Sequence, residues 1–238
     1  MWSNIIGITG GGVSSFSPAQ VLTGFWRMDM DATVAQIDDQ TGNGNHLVQG
    51  TAARQGALTG AINSLTALDL DGDDTYLTGI NGTGEMSLFF CGNLTNLTAL
   101  RLIFGNGAYS DPDPGFNWRF LSTGDQLQFL MSDATARDSG IGTASSSIAA
   151  ATNYILECHF GPGTADVDFR INGALTTDTT ARASTGTDQI RFAAANSAGG
   201  SGWLGECLYA GISNTRLSLA DQLLVREWMA NNAGIALS

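Results

Sequence analysis

Carboxylates are the residues of this chain with the most obvious capacity for chemistry. Glycoside hydrolysis takes two of them, flanking one bond. The four glutamates, Glu85, Glu157, Glu206 and Glu227, stand isolated from one another in the sequence. Asp166 and Asp168 share one face of an alternating segment, but any solvated strand gives that pattern. The two histidines, His46 and His159, form no recognisable order with a serine or cysteine nucleophile. Cys158 and His159 are neighbours, so on a strand they point to opposite faces and cannot act as a dyad. The three cysteines, Cys91, Cys158 and Cys207, lie far apart in apolar runs, without a C-x-x-C pair; they read as buried free thiols. The Gly-rich opening GITGGGVSSF lacks the lysine and preceding strand of a phosphate loop. The chain is therefore expected not to be an enzyme.

Binding chemistry is better represented. Calcium takes six to eight oxygens from Asp, Asn and carbonyl groups. Two Asp-rich turns supply candidate ligands: Asp71, Asp73 and Asp74, or Asp38, Asp39 and Asn43. Neither has EF-hand spacing, and turn chemistry alone explains both. No other cofactor is expected. A sugar site calls for aromatic side chains beside polar groups. The segment SDPDPGFNWR offers Phe116, Asn117 and Trp118 as a candidate glycan-recognition loop, although alternation could also send Phe116 and Trp118 into a core. The first 20 residues are Gly- and Ser-rich yet carry Trp2, Ile5, Ile6, Ile8 and Phe16. They read as an extended arm whose apolar anchors lie on their own domain or reach a partner.

The elements that must position these residues are strands. Short apolar runs alternate with turn clusters from Val21 onward, and 31 glycines against 4 prolines suit many tight turns. GFNWRFLSTGDQLQFLMSD reads as a hairpin, and NYILECHFG with ADVDFRINGAL as a second strand pair. In the latter, Val167, Phe169 and Ile171 share one face. One helix is expected, in SLADQLLVREWMANNAG, with Ser218 as N-cap and Gly234 as stop. Leu224 with Trp228, and Val225 with Met229, form its apolar stripe. The chain of 238 residues can bury a substantial core in one domain. The expected organisation is an arm over 1–20, a sandwich over 21–216, and a helix and tail over 217–238. Net charge is −12, and all 10 basic residues are Arg, which disfavours nucleic acid and anionic membranes as partners. The opening has no basic n-region or apolar run of a secretory signal, and no stretch is long enough to span a membrane.

Several segments together resemble laminin-G-like, concanavalin-A-type jelly rolls. These are Trp26 and Asp29 in the first strand, the DQTGNGNH loop from Asp39 to His46, the run LDLDGDDTYL, the strand DVDFRINGAL, and the closing WLGECLYAGISNTRLSLAD. The loop is the most specific of them, and its Gly and Asn content also suits a self-bonded structural turn. The resemblance covers roughly residues 18–235. It implies an all-β, antiparallel two-sheet jelly-roll sandwich with an N-terminal arm and a short C-terminal helix. The form is similar to that of bacteriophage structural proteins. This implies a capsid decoration or cement protein on the virion surface, assembled in the host cytoplasm. Its partners would be the major capsid protein or other virion proteins, with self-association as a trimer or dimer. The alternative is a lectin-like, carbohydrate-binding module of a tail fibre or surface protein. A glycoside hydrolase ranks last, because the enzymes of this superfamily place Glu-x-Asp-x-(x)-Glu along one strand and this chain does not.

Overall fold

The computed structural model describes residues 16–107, 115–121, 126–132, 137–145, 148–161, 167–178, 188–194 and 201–238. In chain order the strands are β1 (Gly24–Arg27), β2 (Gln36–Ile37), β3 (Leu47–Val48), β4 (Ala57–Ile62), β5 (Leu65–Asp71), β6 (Tyr76–Asn81), β7 (Met86–Gly92) and β8 (Arg101–Gly105). There follow β9 (Gly115–Leu121), β10 (Gln126–Ser132), β11 (Arg137–Ser145), β12 (Tyr154–Phe160), β13 (Val167–Ile171), β14 (Ala174–Asp178), β15 (Gln189–Phe192) and β16 (Leu204–Ser213). One helix, α1 (Leu219–Ala233), closes the chain.

The strands form two antiparallel sheets, as the sequence predicts. The first runs β14-β13-β12-β7-β16-β5-β4, with β1 also paired to β16. The second runs β11-β10-β9-β8-β15-β6-β3-β2. Alternation decides what lies between them. In β9, Phe116, Trp118 and Phe120 enter the main core, and in β12 so do Tyr154, Leu156, Cys158 and Phe160. Trp26, Trp118 and Trp203 are fully buried there. Burying a large apolar side chain is worth about 1.5–3 kcal/mol, so these layers supply the main drive to fold. Both expected strand pairs form: β9 with β10, and β12 with β13.

A third layer covers the other face of the first sheet. Phe89 and Cys91 of β7, Ile155 of β12, and Leu208 and Tyr209 of β16 pack there with Val225, Met229, Ala230 and Ala233 of α1. Ser218 caps the helix by accepting from Asp221 N–H, and Gly234 ends it at φ 67°. The expected stripe is corrected in one position: Leu224 is exposed, while Gln222 and Arg226 face inward. Arg226 does so because β12 presents a buried Glu157 opposite, which an all-apolar stripe would strand, and the Gln222 amide donates to the Leu217 carbonyl. After the helix, Ser238 N–H donates to the Asn172 carbonyl and fastens the tail to the sandwich.

Of the arm's anchors, Trp2, Ile5, Ile6 and Ile8 lie outside the described residues. Phe16 is half-buried against the cluster beneath α1, so its own domain takes it up.

Candidate functional site

The Asp39–His46 loop is a structural turn. Asp39 is nearly buried, and its carboxylate accepts from Phe25 N–H (3.1 Å), Thr41 N–H (3.0 Å), Thr41 Oγ1 (2.7 Å) and Asn45 N–H (3.0 Å). Asn43 and Asn45 both donate to the Thr23 carbonyl, and Trp26 Nε1 donates to the Asn45 carbonyl. Gly42 and Gly44 take φ of 82° and 77°, which only glycine adopts freely. These bonds leave Asp39 no free lone pair for a cation. In the other Asp-rich turn, Asp73 N–H donates to Asp71 and Asp71 N–H donates to Asp74. Burial, followed by the charge of the adjacent Asp71, pushes the Asp74 carboxyl up to about 6. Among the described residues no group of three or more acidic, His or Cys side chains is placed to hold a metal.

The candidate recognition loop requires correction. Phe116, Asn117 and Trp118 belong to β9 and are 1%, 3% and 0% exposed. β9 begins at Gly115, so alternation sends Phe116 and Trp118 into the core. Among the described residues no aromatic side chain is largely exposed. Asp168 is also engaged, by Arg216 at 2.6 Å and the Thr177 hydroxyl at 2.7 Å. Cys158 and His159 do face opposite ways, the first into the main core and the second beneath α1 beside Phe89.

Among the described residues, two clefts open to solvent bear on function. The first lies on the outer face of the first sheet, where α1 does not reach. It has a volume of about 440 Å³ and is lined by Ala61, Asp69, Asn93, Thr95, Ala151, Asn153 and Glu206. Register places Asp69 of β5 directly opposite Glu206 of β16. Their chain neighbours Leu68, Leu70 and Cys207 point into the core, so both carboxylates point out. Glu206 is held firmly: Oε1 accepts from Ala61 N–H at 3.1 Å and Oε2 from the Asn93 amide at 2.9 Å. The same Asn93 amide donates to Asn153 Oδ1 at 3.0 Å, and Asn93 Oδ1 accepts from Glu206 N–H. Trp203, from below, donates to the Asn93 carbonyl. The result is a fixed row of carboxylate and amide groups with exposed Asp69 and Thr95 beside it. Such a row can accept from and donate to vicinal hydroxyls.

The second cleft, of about 300 Å³, lies on the outer face of the second sheet. Val48, Leu77 and Arg191 are register partners across β3, β6 and β15, while the adjacent Leu47, Tyr76 and Phe192 are core. The loop from Gln49 to Arg54 forms the other wall.

None of the residues in either cleft stands out in the sequence as a site. Alternation predicts that Asp69 points outward, but its pairing with Glu206 depends on strands distant in the chain.

Comparison of the sequence with protein-family models and with curated proteins finds no match. Similar solved structures do exist. The Trypanosoma rangeli sialidase in complex with sialic acid has TM-score 0.61 at 11% identity, covering 93% of this chain and 34% of that one. This chain thus spans about a third of the sialidase. Domain 4 of AbnA, a GH43 extracellular arabinanase from Geobacillus stearothermophilus in complex with arabinotriose, has TM-score 0.60 at 16% identity, over 86% of this chain and 97% of that one. The ligand binding domain of botulinum neurotoxin serotype D, in complex with N-acetylneuraminic acid, has TM-score 0.62 at 16% identity, over 89% and 52%. At these identities the likeness shows the fold alone, a β-sandwich.

Proposed function

We propose that this chain is a non-catalytic, carbohydrate-binding β-sandwich module. The observation that carries the reading is the acid–amide cleft. Glu206, Asn93 and Asn153 are already locked together there, so a sugar would not have to order them on binding. Exposed Asp69 would accept from sugar hydroxyls, and Thr95 and Asn153 would donate and accept. A volume of about 440 Å³ suits one or two sugar rings. The ligands in complex with the similar structures, sialic acid, arabinotriose and N-acetylneuraminic acid, support the same reading.

Catalysis at this cleft is disfavoured by the bonding of Glu206. Both its oxygens accept hydrogen bonds, one from a main-chain N–H and one from an amide. Both oxygens are thus engaged within the fold, which suits a fixed acceptor rather than a group that must move a proton. The capsid-decoration reading, with its virion location and capsid partners, rests on resemblance in sequence and has no counterpart among the similar structures named above.

The test is titration of the purified chain with arabinotriose and a panel of neutral glycans. Saturable binding that weakens at least about tenfold in Asp69→Ala and in Asn153→Ala, with melting temperatures unchanged, is the expected result; loss of a good hydrogen bond to a ligand is of this size. Absence of binding to every glycan, or turnover of any of them, would overturn the reading.

A further inference from the structure

We propose that Arg54 and Arg191 form a second binding site, for the carboxylate of an acidic sugar, on the outer face of the second sheet. The ligand class rests on the carbohydrate-binding reading above; the charge argument does not. Three other arginines are matched to an acid, Arg27 to Asp29, Arg216 to Asp168 and Arg226 to Glu157, and Arg101, Arg119 and Arg170 donate to the Gly202 carbonyl, the Gln128 amide oxygen and the Gly173 carbonyl. The guanidinium groups of Arg54 and Arg191 have no hydrogen-bonding or ionic partner among the described residues, and both residues line one cleft of about 300 Å³. Among the described residues no acidic side chain lines it. In a chain of net charge −12, two cations without counter-charge on one small surface are an exception that calls for an anion.

The cleft is also built rather than incidental. Arg191 sits on β15, in the middle of a sheet row, where burial disfavours its charged form. Arg54 sits on a loop tied down at several points. Its carbonyl accepts from Thr75 N–H, Gln49 Oε1 accepts from Thr51 N–H, the Gln55 amide donates to the Gln49 carbonyl, and Gly56 N–H donates to the Tyr76 hydroxyl. Both guanidinium groups are therefore carried by fixed backbone. Thr75 lines the cleft, is 2% exposed, and its hydroxyl has no partner in the fold.

The chemistry of the lining selects the ligand. A guanidinium offers two parallel N–H donors that match a carboxylate, and two of them can hold one carboxylate from either side. Leu77, the register partner of Arg191, and Val48 beyond it, 44% exposed, offer an apolar surface for one face of a sugar ring. Thr51 and Thr75 add hydroxyls for the ring's own. A uronic or nonulosonic acid has all three features, an anion, an apolar ring face and flanking hydroxyls.

The experiment is calorimetric titration of the whole chain with glucuronate, N-acetylneuraminate, methyl galactoside and inorganic phosphate, repeated on Arg191→Gln, Arg54→Gln and Arg191→Lys. Each variant is first checked for an unchanged melting temperature. The expected result is that at least one acidic sugar binds about tenfold more tightly than methyl galactoside, weakens at least about tenfold in either Gln variant, and weakens less in the Lys variant, which keeps charge but not the fork. Binding should also weaken with added salt, as for an exposed ion pair. Phosphate binding as tightly as the acidic sugars would overturn the sugar part and leave a simple anion site. Acidic sugars binding no better than methyl galactoside, or binding unaltered in both Gln variants, would overturn the proposal. Neutral-glycan binding, read in the same chains, separates this result from the first cleft: its absence with acidic-sugar binding intact counts against the acid–amide cleft alone.

Discussion

Asp39 organises more structure than any other single residue of the first hairpin. It accepts main-chain N–H bonds from Phe25 in β1 and from Thr41 and Asn45 in the loop, and so ties the loop to the sheet edge. A buried donor that loses its acceptor is costly, more so than the net worth of the bond. Asp39→Ala should therefore destabilise the fold by about 3 kcal/mol, read from urea unfolding, since three donors lose their acceptor at once. Asp39→Asn, which keeps one oxygen, should cost less. This hub was visible in sequence as a Gly- and Asn-rich turn. Its partner Phe25 was not, because that contact depends on how the chain folds back on β1.

At the scale of elements, β12 and α1 hold a buried ion pair. Glu157 accepts from the Arg226 guanidinium through both oxygens, and His159 Nε2 lies 3.0 Å from the same carboxylate. Burial opposes charge on Glu157, but the His159 and Arg226 bonds outweigh it and hold the carboxyl below its ordinary range. Burial also holds His159 below its ordinary value, with Glu157 offsetting this only in part. We take the imidazole as neutral, donating from Nε2, with Arg226 supplying the positive charge. Removing one partner leaves the other charged and buried, so Arg226→Met should cost about 3–5 kcal/mol. The double variant Glu157→Leu/Arg226→Met should recover most of that loss, measured by the same unfolding curves in a double-mutant cycle. Independent, additive losses would show that the pair does not couple helix to sheet. In sequence Glu157 looks like a lone polar residue in an apolar strand. Only the docking of α1 explains it.

At the scale of the molecule, these buried groups set how stability responds to pH. Unfolded His159 takes up a proton as pH falls below about 6.5, while the folded form resists, so folding stability drops in that window. Glu157, depressed in the fold, contributes stability above its ordinary value near 4.5 that is lost as pH falls through the folded value. Asp74 acts in the opposite sense. Its folded value of about 6 exceeds the ordinary 3.8, so its contribution is full below 3.8 and is lost as pH rises through 6. Asp74→Asn keeps an oxygen for Asp71 N–H but removes this titration. The variant should melt higher than the parent at pH 7.5, by about 2–4 °C for each kcal/mol recovered. The advantage should vanish near pH 3.5. An equal shift at both values would remove Asp74 from the account.

Sequence by itself determined the local and periodic features. Alternation placed Val167 and Phe169 on the core face, turn residues bounded the strand pairs, and Ser218 and Gly234 marked the two ends of α1. These depend on neighbours within a few positions, where side-chain direction and backbone preference are set by the chain itself. The tertiary structure alone decided which outward residues meet. Asp69 faces Glu206, and Arg54 shares a cleft with Arg191, only because β5 pairs with β16 and the loop after β3 folds toward β15. Alternation also left Phe116 and Trp118 open to two readings, loop or core, and burial of β9 resolved it. The physical reason is the same in each case. Strand direction is a local property, whereas register and burial come from the free energy of the whole packed sandwich.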